Sequence, residues 1–223
     1  MTTTARRERH YRQYCGLAAA LDTVGERWTL LIVRELLLGP RRYTELLADL
    51  PGVGTNLLAE RLKKLCAAEI VEREDTGAYR LGPLGERLRE PVLALSKWGI
   101  ALLGEPTADM VTRPHWALLA VQAMADASRL PEICETYEFH VDDEIFHLAV
   151  DRGALTTARG PAAAPAMSIR TDATTFVRIG AGAIGPFAAL ATGKLTFTGD
   201  ADAVLRCSTV LGLVERPGSA PQD

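Results

Sequence analysis

Asn56, Lys63 and Lys64 recur at the spacing that brings side chains to one face of a helix. In the major groove of DNA, an asparagine amide pairs bidentately with adenine, and lysine or arginine donates to guanine. We therefore expect Asn56 and Lys63 to contact base edges. Thr55, which precedes them, and Arg61, which lies among them, complete this candidate set.

The residues around this set carry both signs of charge. Glu60 lies on the same predicted face and would repel phosphate unless it pairs with Lys64 at i+4 or accepts from a cytosine amine. The sequence leaves both alternatives open. Four arginines lie at the ends of neighbouring predicted elements, where phosphate contact is the natural role. They are Arg41, Arg42, Arg73 and Arg80.

Three predicted helices position these side chains. Residues 27–38 are apolar on nearly all faces, which predicts a buried helix. A one-sided apolar stripe predicts a short second helix and consists of Tyr43, Leu46, Leu47 and Leu50. After a glycine turn, a third helix is expected over 55–67, with the Thr55 hydroxyl capping its first turn. Its inward side is expected to carry Leu58, Leu62 and Leu65.

Two short strand-like runs follow the third helix. IVERE at 70–74 and AYRL at 78–81 flank Asp75, Thr76 and Gly77, which form a strong hairpin signal. Helix, turn, helix and hairpin in this order predict a winged helix-turn-helix. Its third helix is expected to lie in the major groove of DNA, which is about 12 Å wide.

A longer helical stretch is predicted from Pro83 to residue 104, with Pro91 as a kink. Its apolar stripe consists of Leu84, Leu88, Val92 and Leu95. We expect this stripe to form a dimer seam with a helix near 14–23, and packing within one chain is the alternative. A dimer would match two DNA half-sites about 34 Å apart.

Several segments of this first half resemble the HxlR family of winged-helix regulators. The resemblance covers most of residues 10–104 and lies in Cys15, GERWTLLIVRELLLGPRRYTELLADLPGVGTNLLAERLKKL, EIVERE, YRLGPLGERL and Lys97-Trp98-Gly99. It implies a homodimer that binds an operator in double-stranded DNA and acts as a repressor or an activator. Two departures are the short hairpin between Arg73 and Tyr79 and Gly54, where the family usually has a small hydroxyl residue.

The cysteines have two distinct implications. Cys15 matches the family's amino-terminal cysteine, which senses oxidants or electrophiles in some members, so the resemblance implies redox sensing as an alternative function. Wide spacing without a CxxC pair predicts no metal site, and no cofactor is predicted. The other three cysteines are Cys66, Cys134 and Cys207.

The second half changes from a helical to a mixed pattern. Residues 105–113 contain a proline and precede another, which predicts a linker. Helices are expected over 115–127, near 176–179, over 187–191 and after the capping residue Asp200, and strands over 137–141, 145–150, 155–159, 167–171 and 195–198. Thr171 and Asp172 are candidate caps of the second of these helices. This order predicts an α+β domain.

Residues 114–214 resemble the sterol carrier protein type-two-like domain, mainly through the segment GKLTFTGD at 193–200 and the helix after it. The resemblance implies a sheet covered by helices around an apolar cavity for a lipid or another hydrophobic small molecule. Candidate lining residues are Phe139, Phe146, Phe176, Phe187, Leu190 and Phe197. The alternative is that these side chains simply fill the core.

Composition and charge limit the classes of protein to which the chain can belong. The chain is 48% hydrophobic and 24% charged, which favours a globular protein. The net charge is -3, yet residues 1–105 carry +2 and residues 106–223 carry -5. No apolar run approaches the roughly 20 residues that span a bilayer, so we expect a cytoplasmic protein without membrane contact. His115, His140 and His147 lack catalytic or ligand partners in sequence, and no enzyme is predicted.

These patterns predict a multidomain protein. A mainly α, winged helix-turn-helix domain for DNA binding and dimerisation is expected at 1–105, a linker at 106–113, a sterol-carrier-like α+β domain at 114–214 and a flexible tail at 215–223. The predicted function is a homodimeric, sequence-specific transcriptional regulator that responds to a hydrophobic small-molecule effector. One alternative is a lipid-binding carrier whose winged helix serves protein interaction. Another is a constitutive regulator whose second domain only adds dimer surface.

Overall fold

The chain divides between Val92 and Leu93 into two compact units, termed the amino-terminal and the carboxy-terminal unit. The structure is a computed structural model that describes residues 10–130 and 132–213, and the tail predicted at 215–223 lies outside these residues. The domain limits expected at 105 and 113 stay predictions. Within the described ranges, no helix combines the length and the hydropathy that crossing a bilayer requires.

The amino-terminal unit consists of helices and one hairpin. Its helices are α1 (Gly16–Val24), α2 (Thr29–Leu37), α3 (Tyr43–Asp49), α4 (Thr55–Ala67) and α5 (Pro83–Glu86), and its strands are β1 (Val71–Arg73) and β2 (Tyr79–Leu81). The strands pair antiparallel, with Glu72 opposite Arg80. Gly77 turns the hairpin at a φ of 81°, which glycine adopts without a steric penalty. The predicted order of helix, turn, helix and wing is confirmed.

Apolar faces of three helices and the hairpin meet in the core of this unit. The buried residues include Ile32, Val33 and Leu36 of α2, Leu46 and Leu50 near α3, Leu58, Leu62 and Leu65 of α4, and Val71 and Leu81 of the hairpin. The helical periodicity of the leucines in α4 therefore identified the inward face correctly.

Two local predictions in this half are wrong. Gly54, not Thr55, is the N-cap of α4, and no side chain caps that helix. The stretch after Pro83 breaks at Arg87 and Leu88 rather than at Pro91, because α6 begins anew at Arg89 and runs to Ile100. Pro91 then lies in the first turn of α6, where a missing N–H removes no helical hydrogen bond.

The carboxy-terminal unit has α+β architecture, as predicted. Its strands are β3 (Cys134–Val141), β4 (Glu144–Asp151), β5 (Ala154–Arg159), β6 (Met167–Thr171) and β7 (Leu195–Gly199), and its helices are α7 (Trp116–Met124), α8 (Ala173–Gly180), α9 (Pro186–Ala191) and α10 (Ala201–Val210). The strand order is β5-β4-β3-β6-β7. Only the β3–β6 pair is parallel among these neighbours.

Alternation along the strands sorts apolar from polar side chains. Tyr137, Phe139 and Val141 of β3 are fully buried on one face, whereas His140 faces the other side and is partly exposed. Two helices begin at predicted caps, since the Asp172 side chain accepts from the Thr175 N–H and the Asp200 side chain accepts from the Asp202 N–H. Thr171 instead donates its hydroxyl to the Lys194 carbonyl, at 2.8 Å.

Candidate nucleic-acid interface and aromatic core

Helix α4 presents a short polar stripe to solvent. Thr55, Asn56, Ala59 and Lys63 are all exposed, and the last three follow one another at helical spacing. The stripe thus combines an amide, a methyl group and an ammonium group. An alanine in such a stripe can contact the methyl group of thymine. Sequence reasoning overlooked Ala59, although its spacing from Asn56 and Lys63 could have identified it.

A hydrogen bond between helices fixes the start of this stripe. The Tyr43 hydroxyl at the beginning of α3 donates to the Thr55 carbonyl at the beginning of α4, at 2.8 Å. Because this hydrogen bond joins the beginnings of α3 and α4, it helps to hold the exposed side chains of α4 in a defined position relative to α3. In a helix-turn-helix, the second of two such helices lies in the major groove.

The basic residues of α4 fall into two groups. Arg61 is buried and pairs with Glu26, and its Nε donates to the Arg27 carbonyl at 3.4 Å. Lys64 lies 3.3 Å from Glu26 and 3.7 Å from Glu60, so the i+4 ion pair is present. Lys63, in contrast, makes no ion pair with any residue in the described part of the chain. We therefore retain Lys63 in the candidate interface and assign Arg61 to holding α4 in place.

The four flanking arginines also differ in their surroundings. Arg41 pairs through its backbone with Tyr79, which adds a bridge to the edge of the hairpin. Arg42 is exposed at the N-cap of α3, and its N–H donates to the Glu45 carboxylate. Arg73 is exposed, with its guanidinium 5.9 Å from the centre of the Tyr79 ring.

Arg80 forms ion pairs within the wing. It pairs with Glu72 across the hairpin, and its Nε lies 3.9 Å from Glu74. The charge of Arg80 is therefore largely balanced before any phosphate approaches. Among the wing arginines, Arg73 keeps the more available charge.

Cys15 is exposed at the N-cap of α1. The backbone N–H groups of Ala18 and, to a smaller extent, Leu17 favour the thiolate and lower the pKa of Cys15 below its usual value. Sequence alone offered only Arg12 as a basic neighbour, whereas the backbone at the helix start supplies the positive end of local dipoles. Cys207 differs, because burial raises the pKa of its thiol.

Three of the six candidate aromatic and leucine residues pack against one another in the carboxy-terminal unit. Phe139 and Phe146 are opposite each other on β3 and β4, and their rings stack at 5.0 Å. Phe176 of α8 closes over both in edge-to-face contacts at 6.1 and 6.4 Å. Such mutual contacts favour core filling over the lining of an empty cavity.

The other three candidates lie on α9 and β7, which contact each other. Phe187 is 46% exposed and Phe197 is 37% exposed, while Leu190 is partly buried. Phe197 faces the same side of the sheet as Phe139, because the register joins Phe139 to Ile169 and Ile169 to Phe197. These three candidates, which lie on neighbouring elements at the β7 end of the sheet, are termed the β7 edge.

A polar cluster occupies the opposite face of the sheet. Glu138 is buried and accepts from the Ser168 hydroxyl at 2.9 Å and the Ala162 N–H at 2.7 Å, with His140 Nε2 also at 2.7 Å. Although burial opposes ionisation, these hydrogen bonds keep the pKa of Glu138 below its usual value. The serine donates to the carboxylate and not to the imidazole, so His140 is not placed to take its proton.

His147 makes a different contact on that face. Its Nδ1 lies 3.0 Å from the Gly160 carbonyl, which anchors the connection between β5 and β6. Both histidines are strand residues, as predicted. A wide surface pocket of about 570 Å³ elsewhere in this unit is lined partly by Asp142, Asp172 and Thr107. Its lining is mixed, because Ala108, Met110 and Ala173 stand beside these polar residues.

Helices α2 to α4 and the hairpin define a winged helix-turn-helix, and the second unit defines a sheet with helical cover. Comparison with known proteins agrees with both. Residues 23–106 match the HxlR-like helix-turn-helix model, and residues 117–212 match the SCP-2 sterol transfer family. The chain belongs to the HxlR-like helix-turn-helix family and carries a sterol-carrier-like domain after the winged helix.

The relatives are named as transcriptional regulators. An HTH-type transcriptional regulator of Mycobacterium tuberculosis is 34% identical over 43% of this chain, and the chain spans 64% of that relative's length. The HTH-type transcriptional regulator YvaP of Bacillus subtilis is 36% identical over 35% of this chain and 79% of its own. A solved structure of quinone-bound YodB from B. subtilis is 35% identical, with a TM-score of 0.36, and matches 38% of this chain and 96% of the other.

Proposed function

We propose that this protein is a sequence-specific, DNA-binding transcriptional regulator without enzymatic activity of its own. The observation that carries the proposal is the exposed stripe of α4, in which Asn56, Ala59 and Lys63 stand on a helix anchored to α3. In this proposal, Asn56 and Lys63 contact base edges. Thr55 contacts the DNA backbone, and Arg42 and Arg73 contact its phosphates.

Binding to DNA next to the protein's own gene tests this proposal. We expect fluorescence anisotropy to detect a tighter complex with that DNA than with an unrelated duplex, and Lys63→Ala to weaken it. Lys194→Ala removes an exposed lysine from the other unit and should have no effect. Equal affinity of the wild-type protein for both duplexes would contradict the proposal.

We propose further that the regulator acts as a homodimer. The supporting observation is the set of exposed apolar side chains on α1 and α6, including Leu17 at 69%, Leu95 at 49% and Trp98 at 64%. Several exposed apolar groups on one surface, unlike a single exposed leucine, mark a surface that an assembly covers. Sedimentation of Leu17→Glu should show a monomer, whereas Leu205→Glu, at a comparably exposed leucine of α10, should stay dimeric. A monomeric wild-type protein would contradict the dimer.

The hydrophobic effector is proposed to enter at the β7 edge. Phe187 and Phe197 are the most exposed of the six candidate residues, and Phe197 lies in the same register row as the buried Phe139, with Ile169 between them. A bound molecule shifts DNA affinity only if it binds two states of the protein unequally. Native mass spectrometry of protein from cells should therefore show a copurified apolar molecule, and Phe197→Ser should release it. The effector would be contradicted if the wild-type protein carries no copurified molecule and no extracted lipid changes its affinity for DNA. The protein would then be a constitutive regulator.

Cys15 supports a second candidate function, regulation by oxidants or electrophiles. Its exposure and the lowered pKa of its thiol favour reaction over that of the buried Cys207. Peptide mass spectrometry after peroxide or quinone treatment should find Cys15 modified and operator binding changed. An unmodified Cys15 with unchanged binding would eliminate this candidate.

A further inference from the structure

Glu26 contacts two of the three basic residues of α4. Its Oε2 pairs with Arg61 Nη2, and its Oε1 lies 3.3 Å from Lys64 Nζ. Glu60 pairs with the same two residues, at 3.3 Å from Arg61 and 3.7 Å from Lys64. Two carboxylates therefore balance two cations, and Lys63 is left as the cation of α4 without an acidic partner in the described ranges.

The contacts of Glu26 join segments that are far apart in the chain. Arg61 also donates to the Arg27 carbonyl, at 3.4 Å, so the turn between α1 and α2 holds α4 through both a charge and a backbone group. The next residue, Trp28, adopts a left-handed conformation with a φ of 77°, which bulky residues rarely do. Its ring reaches the turn that precedes α4, with atoms 3.7 Å from the position of a Cβ on Gly52.

Lysines that contact phosphate and side chains that contact base edges affect DNA binding in different ways. Non-specific binding to DNA is almost entirely electrostatic, and each additional phosphate contact strengthens it at every sequence. Discrimination instead depends on the register of side chains against base edges. We use the word clamp for a carboxylate that orients α4 and also pairs with one of its lysines. Such a clamp would therefore raise the ratio of specific to non-specific affinity.

We propose that Glu26 is a positioning residue that determines specificity. It orients α4 through Arg61, and it withholds Lys64 from phosphate. The inference rests on the proposed DNA-binding function and extends it, since it assigns a role to an acidic residue outside the recognition helix.

The test compares two charge-matched variants of the full-length chain. Glu26→Gln removes the clamp, while Glu69→Gln removes an exposed carboxylate that has no ion pair in the described part of the chain. Affinity for the operator and for an unrelated duplex is measured by anisotropy across a salt series. In Glu26→Gln, we expect about fivefold tighter binding to the unrelated duplex at about 0.1 M salt and a salt slope steeper by about 0.9 per protomer. The ratio of specific to non-specific affinity should fall at least as much.

The control defines the result that overturns the proposal. If Glu26→Gln and Glu69→Gln give the same slopes and the same affinity ratio, net charge alone explains the change and the role of Glu26 is wrong. In the double variant Glu26→Gln with Lys64→Gln, the slope should return to the wild-type value while operator affinity stays reduced, because Arg61 keeps its contact with Glu60 but still lacks its ion pair with Glu26. A slope that stays steep would show that Lys64 is not the released cation.

A measurement without DNA separates this inference from the proposed function. A double-mutant cycle of Glu26→Gln and Arg61→Gln in denaturant unfolding should be non-additive, because the two side chains form one ion pair. Additive effects would overturn the clamp whatever the protein does with DNA. A wild-type protein that shows no preference among DNA sequences, together with a non-additive cycle, would instead overturn the proposed function alone.

Discussion

In the amino-terminal unit, the candidate side chains stand on the exposed face of one helix, whereas in the carboxy-terminal unit, half of the candidates lie inside the core. Asn56 and Lys63 contribute little to packing, while Phe139 and Phe146 are fully buried and stacked. Solvent exposure is therefore the physical property that separates the two sets. Exposed polar groups can change binding without changing stability, and buried rings cannot.

Truncation of a core ring should give the largest effect. We expect Phe139→Ala to lower the free energy of unfolding by about 3–5 kcal/mol, because it removes a ring with no exposed area and leaves a cavity. Urea denaturation measures the loss. Phe197→Ala, at a partly exposed position in the same register row, should cost about 1 kcal/mol or less. Equal losses at both positions would show that the β7 edge belongs to the core.

Loss of the amide in α4 should have the opposite profile. Asn56→Ala should cost about 1–3 kcal/mol of discrimination between the operator and a mismatched site. Its free energy of unfolding should change by less than about 0.5 kcal/mol, because the side chain is exposed. Competition binding and denaturation measure the two quantities. A stability loss that matches the loss of affinity would remove the contrast between the units.

The two units also differ at the starts of their helices. Asp172 caps α8 with its side chain, whereas no side chain caps α4. Asp172→Ala should therefore lower the free energy of unfolding by about 1 kcal/mol, while Thr55→Ala should change it only by a few tenths. A similar cost at both sites, measured by denaturation, would indicate that Thr55 stabilises α4 in another way.

The Asp172 effect should also depend on pH. Burial opposes ionisation, but the Thr175 hydroxyl and backbone N–H outweigh it and hold the pKa of Asp172 below its usual value. Because the folded protein binds the proton more weakly than the unfolded chain, this stabilisation is present above the usual aspartate range, near pH 4, and is lost as the pH falls through the lowered pKa. The stability gap between wild type and Asp172→Ala should narrow on acidification. A constant gap would assign the effect to packing.

The smallest effect is expected in the wing. Arg73→Ala should reduce the salt slope of DNA binding by about 0.9 per protomer, because its guanidinium is available to phosphate. Arg80→Ala should leave the slope nearly unchanged, since Glu72 and Glu74 already balance its charge. If the two variants have equal slopes, the ion pairs of Arg80 do not persist on DNA.

Much of the candidate interface was predictable because it follows from local rules. The spacing of Leu58, Leu62 and Leu65 determined the buried side of α4, and therefore its exposed side. The glycine in the hairpin turn and the alternation in β3 likewise gave the wing and the sheet. The misplaced start of α4 and the misplaced break before α6 are local errors, in which Gly54 and Arg87 took the roles expected of Thr55 and Pro91.

Local sequence patterns predicted where the helices and strands lie and which of their faces are apolar, because those properties depend on residues a few positions apart. Which charges remain available depends instead on contacts between distant segments. Arg61 and Lys64 pair with Glu26, more than thirty positions earlier in the chain, and Phe139 meets Phe176 from a separate helix. Such contacts depend on distances between elements, and no local pattern encodes these distances.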